Sequence, residues 1–449
     1  MFQRWQQSIT LKVLGIGFLA LLMLIPLGQV QGLIGERDGL RLRALADIAQ
    51  RWGGAQDVGG PMLAIPRHTR IRVNDNWAIQ QSTEMLLADQ LSITATMRPQ
   101  IRSYGIYSTP VYEADLHISG RFEAADLRAL GSALGESRAG VELPEGLLLQ
   151  HAELRLPIAD VRGIRRISAL RVDGKELAFG PSSDASGSLH TIALPIDLSQ
   201  WSAGAHEFAL ELTLAGTGSL HFLPLARRTE ASIVAPWPDP SFNGAFLPAE
   251  HRVEGGGFAA RWQVLDLNRS YGQHWQEDAR AVDPASAAFG VSLYQPADVY
   301  QRNERAGKYG VLFIALTFVA FFLFEVLRKL RVHPVQYLLV GLALTTFYVV
   351  LLAFSEQLGF GFAYLTAATA VVLMVGGYAA AVLRARRAGL LLGAALAFVY
   401  ALLYGLVVSE QYSLLMGAIA LLVVVGVLMY LTRKVDWYTY SAVSTTPSA

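Results

Sequence analysis

Six long apolar segments constrain this chain more than any other feature of its sequence. A helix needs roughly 20 apolar residues to cross the hydrocarbon of a bilayer, which is about 30 Å thick. Of the 449 residues, 53% are hydrophobic and only 16% are charged, whereas soluble proteins carry about a quarter charged residues. We therefore predict a membrane protein with six transmembrane helices, which cover residues 13–31, 309–327, 335–354, 361–383, 389–408 and 412–431.

The first apolar segment allows two interpretations. Arg4 and Lys12 precede it, and Val30 and Gly32 resemble the small residues of a signal-peptide cleavage site. A signal peptide has an apolar core of roughly 7–15 residues, however, and the uncharged run here extends from Val13 to Val30. We therefore expect an uncleaved anchor helix.

The basic residues between the segments predict one orientation. Cytoplasmic loops of membrane proteins collect lysine and arginine. The short loops at Ser355 and Ser409 contain neither, whereas the alternate connections and the end of the chain are basic. Both termini are therefore expected in the cytoplasm, and Trp437 and Tyr438 are the predicted interface anchors. The basic residues are Arg328, Lys329, Arg331, Arg384, Arg386, Arg387, Arg433 and Lys434.

The long region between the first two segments has the patterning of a β-rich outer domain. Alternating apolar and polar residues follow an amphipathic helix predicted over 36–52, with a tight hairpin at Asp173-Gly174 and one short helix at 124–134. Prolines within 235–240 exclude a central strand there, so a boundary between two lobes near 235–245 and a long loop within one β sandwich both fit. The predicted division is 1–12 for the cytoplasmic N-terminus, 13–31 for the anchor, 32–305 for the outer α+β domain, 306–432 for a five-helix bundle and 433–449 for a cytoplasmic tail.

The charges divide in the same way as the predicted domains. Residues 31–305 contain 26 basic and 32 acidic side chains, a net charge of −6, whereas the whole chain has a net charge of +1. The rest of the chain is therefore strongly basic, and its cations record the orientation. A near-neutral total argues against a nucleic-acid-binding protein.

The sequence contains no catalytic, cofactor or metal motif that we recognise. The chain has no cysteine, and no two of its nine histidines are three to five residues apart, which excludes a helical zinc pair. Neither a G-x-S-x-G nor an S-x-x-K sequence occurs. Glu325 lies inside an apolar segment, and we interpret it as an interfacial carboxylate beside Arg328 and Lys329 rather than as a proton relay. We predict a protein that is not an enzyme and that has no cofactor.

The sequence Ser-Glu-Gln occurs twice between apolar segments on the predicted outer side. The copies begin at Ser355 and Ser409, which are 54 residues apart, and they indicate a duplicated helical hairpin. Glu356 and Glu410, with the two serines, are our candidate functional residues, because paired carboxylates could bind a cation or an arginine that holds the outer domain on the bundle. Capping of helix N-termini is the alternative interpretation.

Several stretches of the sequence are more specific than these patterns. They read VHPVQYLLVGLAL at 332–344, SEQLGF at 355–360, LTRKVDWY at 431–438 and GGPMLAIP at 59–66. Together they resemble the CreD family of bacterial inner-membrane proteins, which are described as cell-envelope integrity proteins. The resemblance implies a Gram-negative inner-membrane protein with a periplasmic domain, linked to a two-component regulatory system that affects envelope integrity and β-lactam tolerance. It implies no enzymatic activity and no ligand.

Our first functional hypothesis is therefore envelope maintenance or envelope-stress response, with a periplasmic domain that senses a signal or binds a partner. A transporter or lipid-handling protein, with a cavity between the bundle and the periplasmic domain, is the alternative. A membrane enzyme acting on envelope material is the third. The expected partners are membrane lipids and periplasmic or inner-membrane envelope proteins, and a homo-oligomer is compatible with the sequence.

Overall fold

Two units share the chain. A helical unit comprises Met1–Leu42 and Pro296–Ala449, and a β unit comprises Arg43–Gln295. The residues described by this computed structural model are 9–73, 76–134, 146–179, 185–186, 189–277, 282–293, 299–327, 332–382, 386–409 and 413–433.

Long apolar helices form the helical unit. Among the described residues, five helical stretches are long and apolar enough to cross a membrane, and a sixth apolar stretch, Leu415–Tyr430, is shorter. Five of the six predicted spans are thus confirmed as helices of sufficient length and apolar composition. The five stretches are Lys12–Trp52, Val299–Val326, Pro334–Leu358, Phe360–Val382 and Gly389–Val408. The helices are α1 (Ile9–Leu22), α2 (Leu24–Trp52), α4 (Val299–Leu327), α5 (Pro334–Leu358), α6 (Phe360–Val382), α7 (Arg386–Val408) and α8 (Ser413–Thr432), whereas α3 (Ala124–Leu134) belongs to the β unit.

The N-terminal helices are divided by a single residue. Met23 forms a turn between α1 and α2, where Pro26 has no N–H to donate to the carbonyl of Leu22. Beyond this point α2 continues for 29 residues. We predicted an anchor over 13–31 and an amphipathic helix that rises from it over 36–52, and the structure places the end of the anchor and this helix in one continuous helix. Leu27, Val30 and Ile34 follow one another at helical spacing and are buried, so packing continues between the two predicted segments.

Two sheets form the β unit. Their strands are β1 (Gln56–Val58), β2 (Met62–Val73), β3 (Asn76–Leu86), β4 (Ala88–Tyr104), β5 (Tyr107–Glu123), β6 (Gly146–Leu147), β7 (Ala152–Ile158), β8 (Ile164–Ile167), β9 (Leu170–Val172), β10 (Lys175–Leu177), β11 (Ala185–Ser186), β12 (Leu189–Ile196), β13 (Ala205–Thr217), β14 (Ser219–Phe222), β15 (Ala226–Ala235), β16 (Pro240–Gly244), β17 (Glu250–Glu254), β18 (Gly257–Leu265), β19 (His274–Gln276) and β20 (Phe289–Leu293). The first sheet contains eleven described strands in the order β16-β20-β14-β1-β7-β2-β3-β19, with β6, β11 and β12 at its side. The second contains nine in the order β10-β9-β13-β5-β4-β15-β18-β17, with β8 beside β13.

One hydrophobic core lies between the two sheets. Phe222 and Phe289 of the first sheet and Trp262 of the second belong to the same cluster and are fully buried. The proline-rich stretch joins β15 of one sheet to β16 of the other, and β16 is an edge strand, where proline is tolerated. Residues 235–245 therefore connect the sheets of one sandwich, and a lobe boundary there is wrong.

Two local predictions in this unit are confirmed. Asp173 and Gly174 both have positive φ, 51° and 80°, and they form the tight turn between the antiparallel strands β9 and β10. Helix α3 spans the predicted residues, and it buries Leu127 and Leu130 on one face.

Candidate functional site

Glu356 lies in the last turn of α5, where a negative charge is unfavourable. The exposed carbonyl groups at a helix C-terminus carry partial negative charge, so a carboxylate there needs compensating donors. Tyr300 of α4 donates a 2.9 Å hydrogen bond to Glu356 Oε1, and Arg37 Nε of α2 lies 4.0 Å from the same oxygen. The glutamate side chain is only 12% exposed. We name these three residues the Glu356 clamp.

Ser355 adds a buried contact between the same two helices. Its Oγ accepts a 2.9 Å hydrogen bond from Asn303 Nδ2 and donates to the carbonyl of Leu352. Both side chains are buried. The capping interpretation is wrong for this copy, because Ser355 and Glu356 precede Gly359, which ends α5 with a φ of 77°, and do not begin α6.

Glu325, in α4, forms a second buried cluster. Its residue is 3% exposed. Oε1 accepts from the Lys12 ammonium of α1 and, at 2.8 Å, from the N–H of Val332, while Oε2 accepts a 2.8 Å hydrogen bond from Tyr337 Oη of α5. We name Glu325, Lys12 and Tyr337 the Glu325 clamp. We expected Arg328 and Lys329 as the basic neighbours, and both lie outside the described residues.

The two clamps have the same components. Each one joins a glutamate and a tyrosine across the α4–α5 hairpin, and the two residue types exchange helices between the clamps. Each one also takes its cation from the N-terminal helices. The Lys12–Glu325 contact is a charge-assisted hydrogen bond, whereas Arg37 Nε lies 4.0 Å from Glu356 and the Arg37 side chain is 44% exposed, so solvent screens that ion pair. The clamps therefore connect α1 and α2 to the two ends of the hairpin.

The second Ser-Glu-Gln copy is placed differently. Helix α7 ends at Val408, so Ser409 follows its helix, whereas Ser355 lies within one. The Ser409 N–H donates to the carbonyl of Gly405 and closes the last turn of α7. Glu410, Trp437 and Tyr438 lie outside the described residues. The carboxylate pair and the interface anchors therefore stay predictions.

Sequence reasoning missed the partners in both clamps. Lys12 was interpreted only as a flank of the anchor, and Tyr337 only as part of the specific stretch 332–344. The one available signal for Arg37 was its place in a Glu-Arg pair directly after the anchor. Because the partners come from distant parts of the chain, their pairing depends on which helices become neighbours.

The C-terminal end of α2 is fixed within the β unit. Trp52 Nε1 donates a 3.2 Å hydrogen bond to the carbonyl of Tyr112. The guanidinium groups of Arg102 and Arg165 lie 4.7 and 4.9 Å from its ring centroids, and Arg165 also donates to the Trp52 carbonyl. Cation–π contacts contribute about 0.5–1 kcal/mol each at exposed sites. The last residue of α2 therefore contacts three residues of the β unit.

A polar row centred on His221 crosses four strands of the first sheet. His221 Nδ1 lies 3.1 Å from Asp57 Oδ1, and Nε2 lies 2.7 Å from Asn243 Oδ1. Asn243 Nδ2 donates to Ser292 Oγ, which orients the amide oxygen toward the ring. Gly290 lies between His221 and Asn243 in the register, and a side chain there would meet the imidazole.

This row favours the charged form of His221. Both ring nitrogens face acceptors, so only the imidazolium donates to both. Burial lowers the pKa of His221, but the hydrogen bonds to Asp57 and Asn243 and the charge of Asp57 outweigh burial and raise the pKa above its usual 6.5. The β unit therefore contains a titratable group that is coupled to its fold.

Comparison with known proteins assigns the chain to a family. The family model described as inner membrane protein CreD matches residues 8–438. Inner membrane protein CreD of Escherichia coli strain K12 is 32% identical over 431 residues, which cover 94% of this chain and 92% of that protein. The chain belongs to the CreD family. The resemblance of its specific stretches to the CreD family is thereby confirmed, and the match covers almost the whole sequence.

As a CreD-family protein, the chain is a multi-pass inner-membrane protein with a large β-rich unit. The matched region contains all residues of the Glu356 and Glu325 clamps and the whole β unit. Both clamps therefore lie in the part of the chain that the CreD family defines.

Proposed function

We propose that this protein is a non-enzymatic component of envelope maintenance, whose β unit lies in the periplasm and controls the helical unit. The topology we propose has six spans and places both termini in the cytoplasm. Helix α8 has 20 residues, and at 1.5 Å per residue it is about 30 Å long, enough to cross the hydrocarbon. The basic residues of the alternate loops support the same orientation.

The observation that carries this proposal is the continuity of α2. One helix contributes Arg37 to the Glu356 clamp and Trp52 to the β unit, with no break between them. A helix transmits displacement and rotation better than a flexible linker, because each of its residues is hydrogen-bonded to the next turn. Ligand or partner binding by the β unit would then act on α4 and α5 through the Glu356 clamp.

Complementation of a deletion strain tests the coupling. The full chain should return envelope permeability and β-lactam tolerance to their wild-type levels. The double variant Arg37→Gln with Glu356→Gln should do so only in part. The matched control replaces Glu304 and Lys308 with glutamine, since this exposed pair in α4 also joins a carboxylate to a cation. If the clamp variant complements as well as the control variant does, the proposed coupling is overturned. Full complementation by the β unit alone would overturn it as well.

Cysteine labelling tests the orientation separately, because the chain has no native cysteine. Leu267, which is 89% exposed, is a suitable position in the β unit, and Arg433 is suitable after α8. In intact spheroplasts, a membrane-impermeant maleimide should label Leu267→Cys, and it should label Arg433→Cys only after permeabilisation. The opposite pattern would overturn the proposed topology.

A further inference from the structure

A groove of about 550 Å³ crosses the outward face of the nine-stranded sheet. The strand register places two rows of side chains across it, perpendicular to the strands. The first row consists of Arg228, Gln90, Arg121 and Glu207 on β15, β4, β5 and β13. The second consists of Glu230, Ser92, Ser119, Ala209 and Arg171 on β15, β4, β5, β13 and β9.

The second row makes the floor of the groove. Its three central residues, Ser92, Ser119 and Ala209, are small, while long charged side chains stand at both ends. Adjacent strands are about 4.8 Å apart, so the four intervals from Glu230 to Arg171 span roughly 19 Å. The groove is therefore long enough for an extended chain of several units, and its volume is typical of ligand sites.

The lining side chains favour a polar occupant over an acyl chain. Leu91 and Phe208 lie beneath the floor and are each 2% exposed, so neither offers an apolar surface to an acyl chain. The exposed groups are guanidinium and amide donors, carboxylate acceptors, and hydroxyls that both donate and accept. A hydroxyl-rich ligand matches this alternation, because each sugar hydroxyl also donates and accepts.

Two exposed arginines of the groove offer positions for the acidic groups of a ligand. Three arginines and two glutamates line the groove, and each arginine has a carboxylate partner. Arg171 and Glu176 are 67% and 60% exposed, Arg228 Nε lies 3.6 Å from Glu230, and Arg121 lies 3.3 Å from both Asp89 and Glu123. The exposed pairs of Arg171 and Arg228 contribute about 0–1 kcal/mol each, so a ligand carboxylate could replace Glu176 or Glu230 there.

We propose that this groove binds an acidic oligosaccharide. Such a ligand would lie across β15, β4, β5, β13 and β9, with its hydroxyls on the two serines and its acidic groups at the arginines. This ligand class rests on the proposed function, in which the β unit binds a ligand or a partner. Binding by the purified protein tests it independently of the orientation and of the coupling.

Calorimetric titration of the full chain in detergent micelles tests the proposal. Hexagalacturonate is the probe, maltohexaose is the neutral sugar, and hexaglutamate is the acidic chain without sugar. Ser92→Trp fills the floor, and Thr94→Trp is the matched control, because Thr94 is two residues along the same strand on the same exposed face but outside the lining. We expect hexagalacturonate to bind, Ser92→Trp to weaken it at least about tenfold, and Thr94→Trp to change it less than about twofold.

Each other outcome would overturn part or all of the assignment. No binding of hexagalacturonate, or equal loss in both tryptophan variants, would exclude the groove as its site. If hexaglutamate binds as tightly as hexagalacturonate, charge alone is recognised. If maltohexaose binds as tightly, the acidic groups are not recognised. Equal unfolding temperatures of the two variants confirm that both are folded.

Discussion

Replacement of Glu325 by leucine should destabilise the helical unit by about 3 kcal/mol. The substitution leaves the Val332 N–H and the Tyr337 hydroxyl without an acceptor, and these residues are 4% and 1% exposed. Each buried donor without a partner costs about 1–3 kcal/mol, which gives roughly 2–6 kcal/mol, and burial of an apolar side chain recovers about 1 kcal/mol. Lys12 is 30% exposed and can reach water, so it adds little. Denaturant titration in micelles, followed by the helical circular dichroism signal, measures the change.

Two further variants test the reasoning behind this value. Glu304→Leu removes an exposed carboxylate from the same helix, where the pair with Lys308 is more than half exposed, and it should cost less than about 0.5 kcal/mol. Tyr337→Phe combined with Glu325→Leu should cost less than the sum of the single changes, with a coupling of about 1 kcal/mol. A loss below about 1 kcal/mol for Glu325→Leu, or strict additivity with Tyr337→Phe, would refute the Glu325 clamp.

Three predictions concern the β unit, and thermal unfolding of the full chain measures each. The pKa of His221 is raised in the fold, so its contribution to stability is complete below about pH 6.5 and is lost as the pH rises through the raised pKa. The unfolding temperature of the wild type should therefore exceed that of His221→Gln by more at pH 6 than at pH 8. An equal or reversed difference would contradict a charged His221. Gly290→Ala should cost about 2–3 kcal/mol, since its methyl group would meet the Leu220 carbonyl and the His221 ring, whereas Gly272→Ala makes only ordinary contacts and should cost less than about 1 kcal/mol. Trp52→Ala should lower the free energy of unfolding by about 3 kcal/mol. Trp77→Ala removes a ring that is 70% exposed and should lower it by less than about 0.5 kcal/mol. Similar losses in the two variants would show that the contacts of Trp52 contribute nothing to stability.

The elements predicted well are those that depend on local chemistry. Uninterrupted apolar length predicts helices because every backbone group in a membrane must be satisfied within the segment. Asp173 and Gly174 predict their turn because both positions require positive φ. The continuity of α2 across Gly32 and Gly35 depends on packing instead, because burial of Val30 and Ile34 outweighs the weak helix propensity of the two glycines.

The clamps could not be predicted in this way, because their partners are far apart in the sequence. Lys12 and Glu325 are separated by 313 residues, and Arg37 is even farther from Glu356 along the chain. The chain contains 37 basic and 36 acidic residues, so charge alone allows many pairings. Only the packing of the N-terminal helices beside α4 and α5 selects these two.

Glu356 shows how strongly a functional interpretation depends on a helix end. If α5 ended before Ser355, the same Ser-Glu sequence would begin the next helix, and its carboxylate would be stabilised by that helix dipole without any partner. Helix ends predicted from sequence are uncertain by a few residues, and here that difference reverses the sign of the interaction. Because α5 continues to Leu358, Glu356 faces an unfavourable dipole and needs Tyr300 and Arg37. Since Arg37 lies on the helix that continues into the β unit, any movement of α2 that displaces it would expose this carboxylate to the unfavourable end of α5.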